Sequence, residues 1–150
     1  MVNFNFLWQK KSSLNDIETI TKFVAKEITS SKNPFCLWLK GDLGAGKTTF
    51  TGFLLKHLGL PPDVTVNSPT FTYLTEYEIT GKKYAHLDLY RVAQGFQSFA
   101  DGTMDISLYQ GLIIEWAENL KDSSEILPTH CLNIELDGDF NERSYTLFKR

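Results

Sequence analysis

The sequence predicts an α/β sandwich whose parallel central strands are extended by antiparallel strands and hairpins, and three observations predict it. Strand-type and helix-type apolar patterns alternate through the first sixty or so residues. A glycine-rich turn, Gly41 to Gly46, joins an apolar strand to a helix. After that, hairpin signals take over, with polar turns at Thr80-Gly81-Lys82 and Asp137-Gly138-Asp139 between extended runs. Alternating strands and helices pack as layers around a sheet. At 150 residues, 42% hydrophobic and 13% aromatic, the chain can fill one core and is short for two, so residues 1–150 are read as one domain.

Each element has its own signal. Phe4 to Trp8 is a short apolar strand candidate. Ser13-Leu14-Asn15-Asp16 offers a capping box, and apolar residues at Leu14, Ile17, Ile20, Val24 and Ile28 predict a helix over about 14–29 with one apolar stripe. Ser30 to Pro34 breaks it, and Phe35 to Lys40 is a buried strand. A helix from Lys47 should stop at Gly59, with Pro61-Pro62 blocking continuation. Val64 to Val66 reads as a brief strand leading into Asn67-Ser68-Pro69-Thr70, either a nucleotide sensor or a plain turn. Phe71 to Ile79 and Tyr84 to Leu89 form a hairpin that puts His86 and Asp88 on one face, as a structural pair or part of an active site. Residues 92–110 carry no clear period and are read as short helical turns. Gly111 to Trp116 is a buried strand ending at a carboxylate, Glu115; Ala117 to Leu120 makes a helical turn, and His130 to Leu136 pairs with Ser144 to Phe148 as a closing hairpin.

The chemistry concentrates at Gly41 to Thr48, which fits G-x-x-x-x-G-K-[ST], the Walker A pattern. Glycines at 41, 44 and 46 let the main chain turn with positive φ and approach an anion, so that backbone N–H groups converge on phosphate. The helix opening near Lys47 adds its positive dipole end. Lys47 can then reach the β- and γ-phosphates of ATP, and the Thr48 hydroxyl can ligate a magnesium ion bridging them. Glu115, at the end of a buried strand, is the second candidate magnesium ligand. Together with the strand pattern, this motif specifies a P-loop NTPase-like three-layer sandwich.

Charge and composition exclude several classes. Net charge is −3 with pI about 5.6, and the arginines are Arg91, Arg143 and Arg150, so the surface will not attract nucleic acid by bulk electrostatics. Cys36 and Cys131 sit in apolar runs as buried free thiols, and no paired Cys/His spacing suggests zinc. Met1 to Lys11 lacks the apolar core and cleavage site of a secretory signal, and no stretch approaches the ~18 apolar residues of a membrane span, so a cytoplasmic location is expected.

Four blocks in series, GDLGAGKTTF (41–50), NSPTFTY (67–73), HLDLYR (86–91) and IEWAE (114–118), resemble the TsaE (YjeE) family of small bacterial ATPases over nearly the whole chain. The resemblance implies a role in making threonylcarbamoyladenosine next to the anticodon of tRNAs reading codons that begin with A. It also implies partners: TsaB and TsaD, with TsaD performing the transfer from an adenylate made by TsaC, and tRNA engaged only indirectly. Carried over to this sequence, it implies a phosphate loop of Leu43, Gly44, Ala45, Gly46, Lys47, Thr48 and Thr49, with magnesium on Thr48 and Glu115. Thr70 and Asp88 would stand near the γ-phosphate. Asp42 would either position the attacking water or serve the helix structurally, and Arg91 would contact phosphate or, preferably, pair with a carboxylate. Two departures are visible: Gln94 to Phe99 is neutral where the family usually has an acidic helical segment, and Ile17 stands where a threonine is often found. From the residues alone, a small-molecule P-loop kinase and a non-catalytic nucleotide-gated scaffold stay open beside an ATP hydrolase.

Overall fold

Seven strands form one sheet in the order β1-β7-β6-β2-β5-β4-β3 in this computed structural model, which describes residues 2–92, 104–120, 126–138 and 141–150. The strands are β1 (Asn5–Ser13), β2 (Phe35–Lys40), β3 (Leu74–Ile79), β4 (Lys82–Asp88), β5 (Tyr109–Glu115), β6 (His130–Leu136) and β7 (Glu142–Lys149). β6, β2, β5 and β4 run parallel, while β1, β7 and β3 are added antiparallel. Parallel strands are buried on both faces, which is why β2 reads as a continuous apolar run. Phe35, Leu37 and Leu39 enter one core, and Cys36 and Trp38 the other.

The two α-helices among the described residues lie on the same face. α1 (Ile17–Ile28) buries Ile17, Ile20, Val24, Ala25 and Ile28, and α2 (Lys47–His57) buries Phe50, Leu54 and Leu55, all in the core shared with the odd-numbered β2 residues. Among the described residues the other face is covered by 3-10 turns at Ile106–Leu108 and Ala117–Asn119 and by connecting segments, not by an α-helix. α2 ends as the glycine predicted: Leu60 N–H donates to Leu55 O at 3.0 Å and Gly59 N–H to Lys56 O at 3.0 Å, the paired bonds of a Schellman motif.

Several local expectations give way. β1 extends to Ser13, so Ser13 is committed to the sheet and the capping box does not form; a 3-10 turn, Leu14–Asp16, precedes α1, and Asp16 makes no side-chain cap bond. Val64 to Val66 pairs with no strand, its β-branched residues lacking a neighbour to add to. The first hairpin turns on Thr80 and Gly81, both at positive φ, and β3 starts at Leu74, not Phe71. The last strand of the second hairpin starts at Glu142, two residues before Ser144, and Asp139 of its turn lies outside the described residues. Of the helical turns expected over 92–110, one is seen among the described residues, at Ile106–Leu108; residues 93–103, with the whole neutral Gln94 to Phe99 stretch, lie outside the described part. No helix among the described residues is long and apolar enough to cross a membrane.

Candidate phosphate-binding site

The site lies where the parallel strands end. β2 is flanked by β5 on one side and β6 on the other, and a crevice opens at the C-terminal ends of strands that diverge in this way. From β2 the chain passes through Gly41 to Gly46 into α2, while β5 delivers Glu115 and β4 delivers Asp88. Register fixes the last two as neighbours, since Asp88 pairs with Glu115.

Two glycines of the loop have steric reasons to be glycine. A Cβ at Gly41 would stand 2.4 Å from the Ile134 carbonyl oxygen, and Gly46, which opens α2, sits at φ 104°. The Phe50 amide closes the first helical turn on Gly46 O at 2.9 Å, and the Ala45 amide is engaged inside the loop with Asp42 O at 3.0 Å. Leu43, Gly44, Gly46, Lys47, Thr48 and Thr49 line a cavity of about 480 Å³, whose far wall is Ser68, Thr70, Asp88 and Glu115.

Lys47 is buried, with Nζ donating to Gly41 O at 2.5 Å and Asp42 O at 3.1 Å and standing 3.9 Å from the centre of the Trp116 ring. Burial holds its ammonium below the ordinary lysine value, against the pull of Glu115, Glu118, Asp88 and Asp42. Trp116 is itself held in the left-handed region at φ 58° and packs on Tyr90, ring centres 4.9 Å apart.

Thr48 Oγ1 donates to Glu115 at 2.9 Å (Oε1) and 3.1 Å (Oε2), and His86 Nε2 lies 2.7 Å from the same Oε1. Neighbouring ligands of an octahedral magnesium ion, with bonds of about 2.1 Å, are separated by about 3 Å. The Thr48 and Glu115 oxygens could therefore enter one cation's shell with little movement. Asp88 is buried and held from both sides: Oδ1 accepts from the Tyr90 amide at 2.9 Å, and Oδ2 accepts from Thr70 Oγ1 at 2.8 Å and from Ser68 Oγ. The polar loop is thus tied to β4.

The structure brings together Lys47, Thr48, Thr70, Asp88 and Glu115. Asp42 is exposed and faces a neighbouring cavity lined by Lys40, Asn133 and Glu135, outside the phosphate cavity. Arg91 makes no ion pair among the described residues; its guanidinium lies over the Phe71 ring, 4.3 Å from the centre. Ser68 falls in the polar loop that the sequence offers as a sensor, whereas no sequence signal marks Trp116; for His86 the signal is the alternation that pairs it with Asp88. Both cysteines are free and buried, as expected, and burial pushes the Cys36 thiol up to about 12 and the Cys131 thiol up to about 11.

The family model for Threonylcarbamoyl adenosine biosynthesis protein TsaE matches residues 12–145. A tRNA threonylcarbamoyladenosine biosynthesis protein TsaE from Aquifex aeolicus is 35% identical over 144 residues, covering 93% of this chain and 97% of that protein. The Bacillus subtilis TsaE is 37% identical over 130 residues, covering 84% and 77%. Among solved structures, Bacillus subtilis YdiB superposes with a TM-score of 0.70 at 26% identity, covering 99% of this chain and 88% of that one.

Proposed function

This chain belongs to the TsaE family of tRNA threonylcarbamoyladenosine biosynthesis proteins, and on that premise we propose that it is a magnesium-dependent ATPase of that pathway. The observation that carries the reading is the Thr48 hydroxyl set against the Glu115 carboxylate at 2.9 Å, beside a glycine-opened helix bearing Lys47. A structural turn needs neither group.

In this reading the phosphates of ATP replace contacts the site now makes with itself. Lys47 Nζ leaves the Gly41 and Asp42 carbonyls for the β- and γ-phosphates, and the free amides of the loop take phosphate oxygens. Thr48 and Glu115 would hold magnesium, which would supply charge neutralisation to the phosphates. Asp88, fixed by Tyr90, Ser68 and Thr70, presents a carboxylate toward the γ-phosphate end, where it orients the water that displaces ADP. Positioning and electrostatics, not covalent catalysis, do the chemical work.

The protein then acts through partners. It binds TsaB and TsaD in the cytoplasm, and its hydrolysis supports repeated turnover of the threonylcarbamoyl transfer that TsaD performs. Net charge −3 supports an indirect relation to tRNA. A reconstituted tRNA modification assay over several turnovers tests this: Lys47→Ala should permit the first turnover and lose the later ones. Equal yields from Lys47→Ala and wild type would contradict it. Phosphate release absent both with and without the partners would favour a nucleotide-gated scaffold, and phosphoryl transfer to a metabolite would favour a kinase.

A further inference from the structure

A second cavity, of about 510 Å³, lies at the end of the sheet away from the phosphate loop, where β2 and β6 begin, and the nucleotide reading gives it no role. Ser30, Ser31, Asn33, His130, Lys149 and Arg150 give it a polar lining. His130 is 4% exposed, and its Nε2 is buried with no hydrogen-bond partner. The other ring nitrogen is engaged, with Nδ1 3.0 Å from the Thr129 hydroxyl. That hydroxyl donates its one hydrogen to Cys36 O at 3.1 Å, so toward the ring it can only accept. By this network the ring proton sits on Nδ1, and Nε2 is left as a bare acceptor. Burial, with Lys149 adding to it and Glu27 opposing, holds the His130 pKa below its ordinary 6.5, so the ring is neutral at about pH 7.5.

Two cations share the cavity with that acceptor. Lys149 stands opposite His130 in the β6–β7 register, and its ammonium is half-exposed, 3.7 Å from the Glu27 carboxylate. Arg150 makes no ion pair among the described residues, and its amide donates to Thr129 O at 3.0 Å, which fixes the backbone beside the ring. The end of α1 would oppose an anion here, but its last carbonyls are occupied: Ala25 O accepts from the Thr29 amide at 3.1 Å and hydroxyl at 2.6 Å, and Glu27 O from the Ser30 amide at 3.2 Å. A ligand suited to this lining is an anion that also has a hydrogen to give. We propose that the cavity is a second ligand site that takes a free hydrogen phosphate ion, its oxygens accepting from Lys149 and Arg150 and its P–OH donating to His130 Nε2. Sulfate has no such hydrogen, and a phosphate monoester, with a second pKa of about 6, has lost most of its own at about pH 7.5. Inorganic phosphate keeps at least one. The site stands independently of the nucleotide reading.

The test is titration of the full chain with inorganic phosphate at about pH 7.5, following the histidine ring resonances by NMR, with the His130 signal assigned by its loss in His130→Gln. The His130 signal should move and saturate. His86, beside Glu115, reports separately on any phosphate that enters the loop. Sulfate and glycerol phosphate should act on His130 about tenfold more weakly or not at all, as the lack of one hydrogen bond to a buried acceptor implies. Lys149→Met, a change at a half-exposed position, should weaken phosphate about tenfold as read at His130, the scale of losing a charge-assisted hydrogen bond. A His130 signal that phosphate leaves in place overturns the proposal. So does an equal response to sulfate, which would mean that Nε2 reads no hydrogen on the ligand, and so does undiminished affinity in Lys149→Met.

Discussion

Two buried histidines mark opposite ends of the parallel strands, and their surroundings differ in kind. His86, near the end of β4, is fully buried with Nε2 2.7 Å from Glu115, whose carboxylate also accepts from Thr48. His130, at the start of β6, has the Thr129 hydroxyl 3.0 Å from Nδ1 as its hydrogen-bond neighbour among the described residues. That hydroxyl serves the backbone, accepting from Cys36 N–H and donating to Cys36 O, each at 3.1 Å. At one end the polar chain opens on the cavity of the phosphate loop; at the other, His130 borders a separate cavity lined also by Ser30, Asn33, Lys149 and Arg150. The same residue type therefore meets a carboxylate shared with Thr48 in one place and a hydroxyl that serves the backbone in the other.

The contrast can be broken most severely at Lys47. Lys47→Ala should reduce nucleotide affinity by about 100-fold, the scale of losing a charged hydrogen-bond donor to phosphate, as read by calorimetry; no change would put the phosphate elsewhere. Next comes Glu115→Ala. It should leave magnesium-free nucleotide binding near wild type and remove the gain that magnesium gives, because one of two protein ligands is gone. His86 sharpens the comparison. His86→Ala should raise the magnesium concentration needed for half-maximal binding about tenfold, as loss of a group that orients a metal ligand does. His86→Gln, whose amide can still donate to Glu115, should recover most of that, and the corresponding changes at His130 should leave it untouched.

The smallest effect belongs to His130. Burial, with help from Lys149 and against Glu27, lowers the His130 pKa from its ordinary 6.5. The unfolded chain then binds more protons than the folded one between the lowered value and 6.5, so stability rises with pH across that window and is lost on acidifying below about 6.5. His130→Gln should flatten that part of a stability-against-pH curve, measured by urea unfolding. An unchanged slope would place the acid sensitivity elsewhere.

Local signals carried most of the fold. The Walker pattern placed the loop, the stripe from Ile17 to Ile28 placed α1, and Gly59 placed the end of α2, since each is decided within a few residues. β1 was legible only at its apolar start. Gln9, Lys10 and Lys11 are exposed on an edge strand that pairs with β7 alone, and an edge strand guarded by lysines shows no apolar period. Within the site, Thr48 and Glu115 could be named singly, but their meeting across 67 positions is a product of the β2–β5 pairing. Arg143, which also lines the cavity, lay further from view: a lone arginine in an alternating strand looks like surface until its register with Tyr145 and Leu147 puts it on the core face.

A crystal structure with magnesium and a non-hydrolysable ATP analogue tests the central claim most directly. The account predicts Lys47 turned from the Gly41 carbonyl to the β- and γ-phosphates, with one cation between Thr48 and Glu115. Nucleotide bound away from the 43–49 loop, or Thr48 still hydrogen-bonded to Glu115 with no cation between them, would contradict it.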